Sequence, residues 1–159
     1  MLTINYREVL STGTPEKSLT TGFTRAHGRN NLGRITTRHK GGGNKRRYRM
    51  IDFKYDKVNI PAKITSVEYD PNRTSFISLA VYADGEKRYV LTPKSIKVGD
   101  KFIVAVDAPL TAGNRMPLRV IPVGTYVYNV EIKAGGGAKI ARSAGNYAQV
   151  VANDSGYTL

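Results

Sequence analysis

The sequence predicts an all-β protein, a small antiparallel barrel preceded by a long basic arm. Three observations predict it. Apolar residues alternate with polar or small ones over short runs, the period of a strand. Prolines at 61, 71, 93, 109, 117 and 122 leave little room for a long helix. Residues 17–51 hold ten basic residues and no acid, and no apolar periodicity precedes residue 48.

The chain has 159 residues and 17.5 kDa, enough for one domain or two small ones. Hydrophobic residues make up 40%, enough to build a folded core. There is no cysteine and there are two histidines, which excludes a disulfide scaffold, a thiol nucleophile and both Cys-based and three-His zinc sites. No apolar run is long enough to span a membrane as a helix.

Residues 1–47 read as an extended arm rich in Gly, Thr, Asn and Arg. The first 22 residues carry Arg7 and Lys17 against Glu8 and Glu16, so neither a transit-peptide nor a signal-peptide pattern is present. The protein is expected to act where it is made, or after loss of a presequence. Of the formal charge of +13, ten units fall in residues 17–51; the other residues carry fifteen basic against twelve acidic groups. Such a block repels itself and calls for a polyanion. The bland alternative is a solvated tail without a partner. Anionic lipid is a weaker rival, because the block lacks the Leu/Phe/Trp face of an interfacial helix.

Residues 48–124 read as strands. Ile51, Phe53 and Tyr55 alternate. Asp70-Pro71-Asn72 is a turn, and Ile77, Leu79 and Val81 alternate with Ser78 and Ala80. Asp84-Gly85 signals a two-residue type I′ hairpin returning through Tyr89-Val90-Leu91, and Phe102, Val104 and Val106 form one face of a later strand. Residues 125–159 begin another strand set, with Tyr126, Tyr128, Val130 and Ile132 alternating, Gly135-Gly136-Gly137 breaking it, and short strands near Lys139–Arg142 and Ala148–Val151. These are too few to close a barrel alone, so they are expected to pack on the first or to be finished by another polypeptide.

The residues of the arm suit a nucleic acid. Arg25, Arg29, Arg34, Arg38, Lys40, Lys45, Arg46, Arg47 and Arg49 can meet phosphates. Asn30, Asn31, His39 and Asn44 can reach sugars or bases, while Gly41, Gly42 and Gly43 let the backbone approach closely. Arg88, Lys139 and Arg142 are weaker candidates on the strands. Enzyme readings find little support. Neither glycine run is followed by Lys and then Ser or Thr, as a phosphate-binding loop requires. His27 and His39 have no acid beside them in the sequence. Glu68 and Asp70 could pair, but read more plainly as a solvated strand edge and turn, and Asp84 and Glu86 as turn residues.

The stretches Gly28–Thr36, Arg38–Gly43, Lys45–Arg49, Ile51–Lys54, Glu68–Arg73, Tyr82–Tyr89, Gly113–Leu118, Ile121–Thr125 and Arg142–Gly145, in this order, strongly resemble the large ribosomal subunit protein two family. The resemblance implies an oligonucleotide-binding (OB) five-stranded barrel at 48–124 and the start of an incomplete SH3-like barrel at 125–159. It implies binding of large-subunit ribosomal RNA beside the peptidyl transferase centre, in support of its assembly, subunit joining and translation, with neighbouring ribosomal proteins as partners. It implies no catalysis, no cofactor beyond Mg2+ held by the RNA, no membrane and no homo-oligomer. Family members run on past the position of Leu159, so the chain is expected to be the N-terminal part of a split organellar version. A separate C-terminal chain would then complete the barrel, and the ribosome would be that of the mitochondrial matrix, ahead of chloroplast stroma or bacterial cytoplasm. Asn44 and Tyr128 stand where the family commonly has histidine. The alternative function is a free OB-type module binding single strands.

Overall fold

The computed structural model describes residues 5–22, 24–154 and 156–159. Residues 1–4, part of the segment read as free of a targeting pattern, lie outside the described residues. Apart from one short helix, α1 (Tyr6–Val9), and two 3-10 turns, the regular elements are strands.

The centre is a four-stranded antiparallel sheet of β3 (Ala62–Glu68), β4 (Ile77–Tyr82), β5 (Lys87–Leu91) and β6 (Lys101–Phe102), in the order β5-β4-β3-β6. The register of β3 on β4 shifts between Ile64 and Ser66. This bulge makes Val67, rather than Ser66, follow Ala62 and Ile64 into the core. The β4–β5 hairpin forms as expected but with a different turn. Gly85 has φ +85° while Asp84 is not left-handed, and the Tyr82 carbonyl accepts from Gly85 N at 2.9 Å. Type I′ would need both central residues left-handed, so the turn instead uses one left-handed glycine.

Both faces of the sheet are covered. One face buries Ala62, Ile64, Val67, Ala80, Tyr82, Val90 and Phe102 with Tyr55 and Val104. The other buries Ile77, Tyr89 and Leu91 beneath Leu19, Ile51, Phe53, Leu79 and Tyr128. The Ile77/Leu79 face thus lies under Leu19, Ile51, Phe53 and Tyr128, and the larger core takes Ala80 and Tyr82 of the same strand. Tyr128, the departure from histidine, packs here, and burial raises its phenol to about 12.

A closed five-stranded barrel does not form. The alternating Ile51, Phe53 and Tyr55 make only one bridge, from Ile51 to Tyr89. The Oδ1 of Asp52 accepts from both Lys54 N and Tyr55 N at 2.9 Å, and Tyr55 takes φ +53°. This turn ends the pairing and sends Tyr55 into the core opposite the one that takes Ile51 and Phe53.

The N-terminal residues are held onto the sheet before the basic stretch begins. Ser11 N donates to Val67 O (2.9 Å), and Val67 N donates to Ser11 Oγ (3.1 Å). Tyr6 packs edge-on against Tyr69 and Phe76. In the C-terminal part, β7 (Tyr126–Val127) pairs with β10 (Ala148–Gln149), β8 (Val130–Glu131) with β9 (Ala138–Ile140), and β11 (Asn153–Asp154) with β12 (Tyr157–Thr158). The single strand expected from Tyr126 to Ile132 is broken at Asn129, buried with φ +56°. Arg115 ties this part to the sheet. It donates to Asn129 O (3.0 Å), pairs with Glu131 (2.8 Å) and lies over the Tyr55 ring.

Candidate nucleic-acid interface

The basic stretch folds back on itself instead of running out as an open arm. Strands β1 (Thr20–Gly22) and β2 (Arg47–Arg49) pair antiparallel, Thr20 opposite Arg49 and Gly22 opposite Arg47, and so close a loop over the residues between. The foot of the first leg is pinned by a buried tyrosine. The Tyr89 hydroxyl accepts from Glu16 N (2.9 Å) and donates to Glu68 Oε2 (2.8 Å), while Lys87 pairs with Glu16 (2.8 Å). Lys87 holds the Glu16 carboxyl below its usual range.

Inside the loop a hairpin joins Arg29 to Ile35. The Oδ1 of Asn30 accepts from Leu32 N (3.0 Å) and Arg34 N (2.9 Å), so one end of this predicted base or sugar contact is spent on its own turn. Gly28 lies at the hairpin's base with φ +64°, and a Cβ there would fall 2.3 Å from Thr37 O. Only glycine fits, a requirement that composition alone does not disclose. Gly41, Gly42 and Gly43 all have positive φ, as does His39. With Thr24, Arg25, Ala26 and Lys40, residues 39, 41 and 42 line a concavity of about 470 Å3.

Among the described residues, Arg25, Arg29, Arg34, Arg38, Lys40, Lys45, Arg46, Arg47 and Arg49 make no ion pair with a carboxylate, although Arg25 and Arg49 are half-buried. Asn31, Asn44 and the apolar Leu32 and Ile35 are exposed on the same loop, the last two at 72% and 67%.

The remaining candidates lie elsewhere. Arg88 is enclosed by carboxylates: Asp52 at 2.8 Å, Glu86 at 2.6 Å and Asp56. Lys57 joins the cluster through Glu86 and Asp84. These contacts hold the Glu86 carboxyl below its usual range, through Arg88 and then Lys57, and do the same to Asp84 through Lys57. Arg142 stacks on Phe53, 3.6 Å from the ring centroid, and Lys139 is exposed on β9. Glu68 and Asp70 do not pair. Glu68 serves Tyr89, and Asp70 is fully buried, accepting from Asn72 N, Asn72 Nδ2 and Arg73 Nε. The solvated-turn reading of Asp70 is therefore replaced by a buried carboxylate at the centre of its turn.

No cluster of three or more His, Asp or Glu able to hold a metal occurs among the described residues, and no helix is long and apolar enough to cross a membrane. A small β-sheet carrying a ladder-closed loop whose cations make no ion pair with a carboxylate among the described residues defines an all-β protein with a preformed basic surface. The chain belongs to the ribosomal protein L2 family: residues 16–104 match the model described as "Ribosomal Proteins L2, RNA binding N-terminal domain", and residues 111–159 match "Ribosomal Proteins L2, C-terminal domain". It is a structural, non-catalytic, RNA-binding constituent of the large ribosomal subunit.

The second match corrects two expectations. The chain carries sequence of both domains, so it is not merely the N-terminal part of a split protein, and a separate C-terminal chain is not its partner. The strands read as unfinished pair with one another. Leu159 itself is bonded, accepting from Val151 N (2.7 Å) and donating to Ala152 O (2.8 Å). Alternation does not disclose these partners, because the pairing of β7 with β10 joins residues about twenty positions apart, Val127 with Ala148 and Tyr126 with Gln149.

Proposed function

We propose that the ribosomal RNA contact is made chiefly by the loop between β1 and β2. Arg25, Arg29, Arg34, Arg38, Lys40, Lys45, Arg46, Arg47 and Arg49 meet phosphates, Asn31, His39 and Asn44 meet sugars or bases, and Asn30 contributes through its amide nitrogen. The Gly41–Gly43 backbone lies against the RNA. Arg142 and Lys139 add contacts beyond the loop. Arg88 is left out of this set, because three carboxylates already neutralise it. The observation that carries the reading is the run of cations without carboxylate partners on a loop closed by its own ladder. A surface that the protein leaves unneutralised is stabilised by an external polyanion.

On this reading residues 1–47 supply the RNA-binding segment, 48–124 an OB-type unit and 125–159 an SH3-like unit, and the protein buttresses RNA beside the peptidyl transferase centre. The ribosome is the location. The test is the salt dependence of binding to large-subunit ribosomal RNA. About ten phosphate contacts give a log–log slope of roughly −7 to −9. A slope near zero would overturn the phosphate contacts, and equal binding to unrelated single strands would favour the free single-strand module instead.

A further inference from the structure

We propose that Asn72, an uncharged residue outside the basic loop, is a positioning residue for the RNA contact of Arg47 and Arg49. The proposal rests on the loop being the RNA-binding surface and adds what holds its second leg in place. Strands β1 and β2 are three residues each, and a two-stranded ribbon of that length does not hold its shape alone. Its first leg is tied down through Glu16 and Tyr89. The second leg has its own tie: Asn72 Nδ2 donates to Arg47 O at 2.7 Å, across 25 positions of sequence.

The amide is fixed for that task. Its other hydrogen goes to Asp70 Oδ1 at 2.9 Å, and the same oxygen accepts from Asn72 N at 2.9 Å. Both neighbours of Nδ2 are acceptors, so the nitrogen, and not the amide oxygen, must stand between them. Asp70 is fully buried, and its other oxygen is held by Arg73 Nε at 2.6 Å. The tie thus begins in a carboxylate that cannot move and ends on the backbone of the most basic strand. Arg49 closes the arrangement, its Nη1 donating to the same Arg47 carbonyl at 3.1 Å. If Asn72 is cut back, Arg47 O keeps only this bond to a side chain that RNA also attracts, and the strand can swing out of register with the rest of the loop.

The test uses the full chain and a large-subunit ribosomal RNA transcript, with binding measured across a range of KCl. Asn72→Ala removes the tie; Asn72→Ser keeps a donor for Asp70 but is too short to reach Arg47. Each is expected to weaken binding about three- to ten-fold and to flatten the salt slope by roughly one to two, the share of two phosphate contacts. Thr74→Ala cuts the neighbouring bond from Ala144 N to Thr74 Oγ1 and leaves the slope unchanged. Adding Asn72→Ala to Arg47→Ala/Arg49→Ala should bring little further loss, because the tie acts through those two residues. A wild-type chain that binds with a steep slope, alongside Asn72 variants that match it, overturns this inference alone. So does a loss without a change in slope, full additivity with the arginine substitutions, or failure of either variant to fold. A wild-type chain with no salt-dependent binding overturns the functional reading itself.

Discussion

The four-stranded sheet and the basic loop solve opposite problems with the same backbone ladder. In the sheet, each face is buried and one cluster of charges beside the β4–β5 hairpin is matched within itself: Arg88 and Lys57 against Asp52, Asp56, Asp84 and Glu86. In the loop, a ladder of three residue pairs closes a segment whose cations make no ion pair with a carboxylate among the described residues. The sheet is stabilised from within by apolar burial. The loop has a geometry set from its feet and an electrostatic demand that the protein does not meet. On the proposed reading, stability and binding are placed in separate parts of the chain and joined at a few hydrogen bonds.

The widest separation of the two should come from the core. Ile77 is fully buried between sheet and N-terminal segment, and Ile77→Ala should lower the unfolding free energy by about 2–5 kcal/mol in a urea titration. The fraction that stays folded should keep the wild-type salt slope. A flattened slope would mean that the loop depends on this core more directly than through its feet. The converse change is Arg46→Ala with Arg47→Ala and Arg49→Ala. It should flatten the slope by roughly two to three while leaving thermal unfolding nearly unchanged. An unaltered slope would show that those side chains miss the phosphates.

A smaller effect should follow at the junction. Tyr89→Phe removes the hydroxyl that links Glu16 N to Glu68, and is expected to cost roughly 1–2 kcal/mol. Amide exchange at Glu16 should speed up while exchange within β3 and β4 does not; equal acceleration in both would make the tyrosine a general core residue and not a foot of the loop. The smallest effect concerns pH. Asp56, Asp84 and Glu86 sit below their ordinary values in the folded protein, Asp56 and Glu86 first through Arg88 and Asp84 through Lys57. The unfolded chain takes up protons before the folded one as pH falls. Their stabilisation is thus whole above an ordinary carboxylate value of about 4 and is lost below it, as the folded groups protonate in turn. The Tm should fall between pH 6 and pH 3, and less so in an Arg88→Ala variant. An equal fall in both would remove the ion-pair cluster as the cause.

Much of this division was legible in the residues. A stretch with ten basic and no acidic groups announces a polyanion partner, and the ordered motifs from Gly28 to Gly145 point to the family that the two domain matches establish. Strands β4 and β5 and their hairpin were legible through period-two alternation and Asp84-Gly85. The turn type was not, because it depends on how the twist of two paired strands is absorbed at Gly85. Nor was the fate of Ile51, Phe53 and Tyr55, where one Asp52 side chain outbids the strand pattern. The reading of the C-terminal strands as unfinished erred because alternation gives the faces of a strand and says nothing of its partner.

Local chemistry is thus what the sequence by itself determined: where charge gathers, where glycine or proline forbids a helix, which residues alternate, and hence an all-β RNA-binding protein. Tertiary structure alone decided which cations are free and which are spent. Arg88 and Arg46 look alike in a sequence, yet one is surrounded by three carboxylates and the other makes no ion pair with any. The physical reason is that ion pairing, burial and the reach of an amide such as that of Asn72 depend on distance in space, which the chain fixes only once its strands have paired.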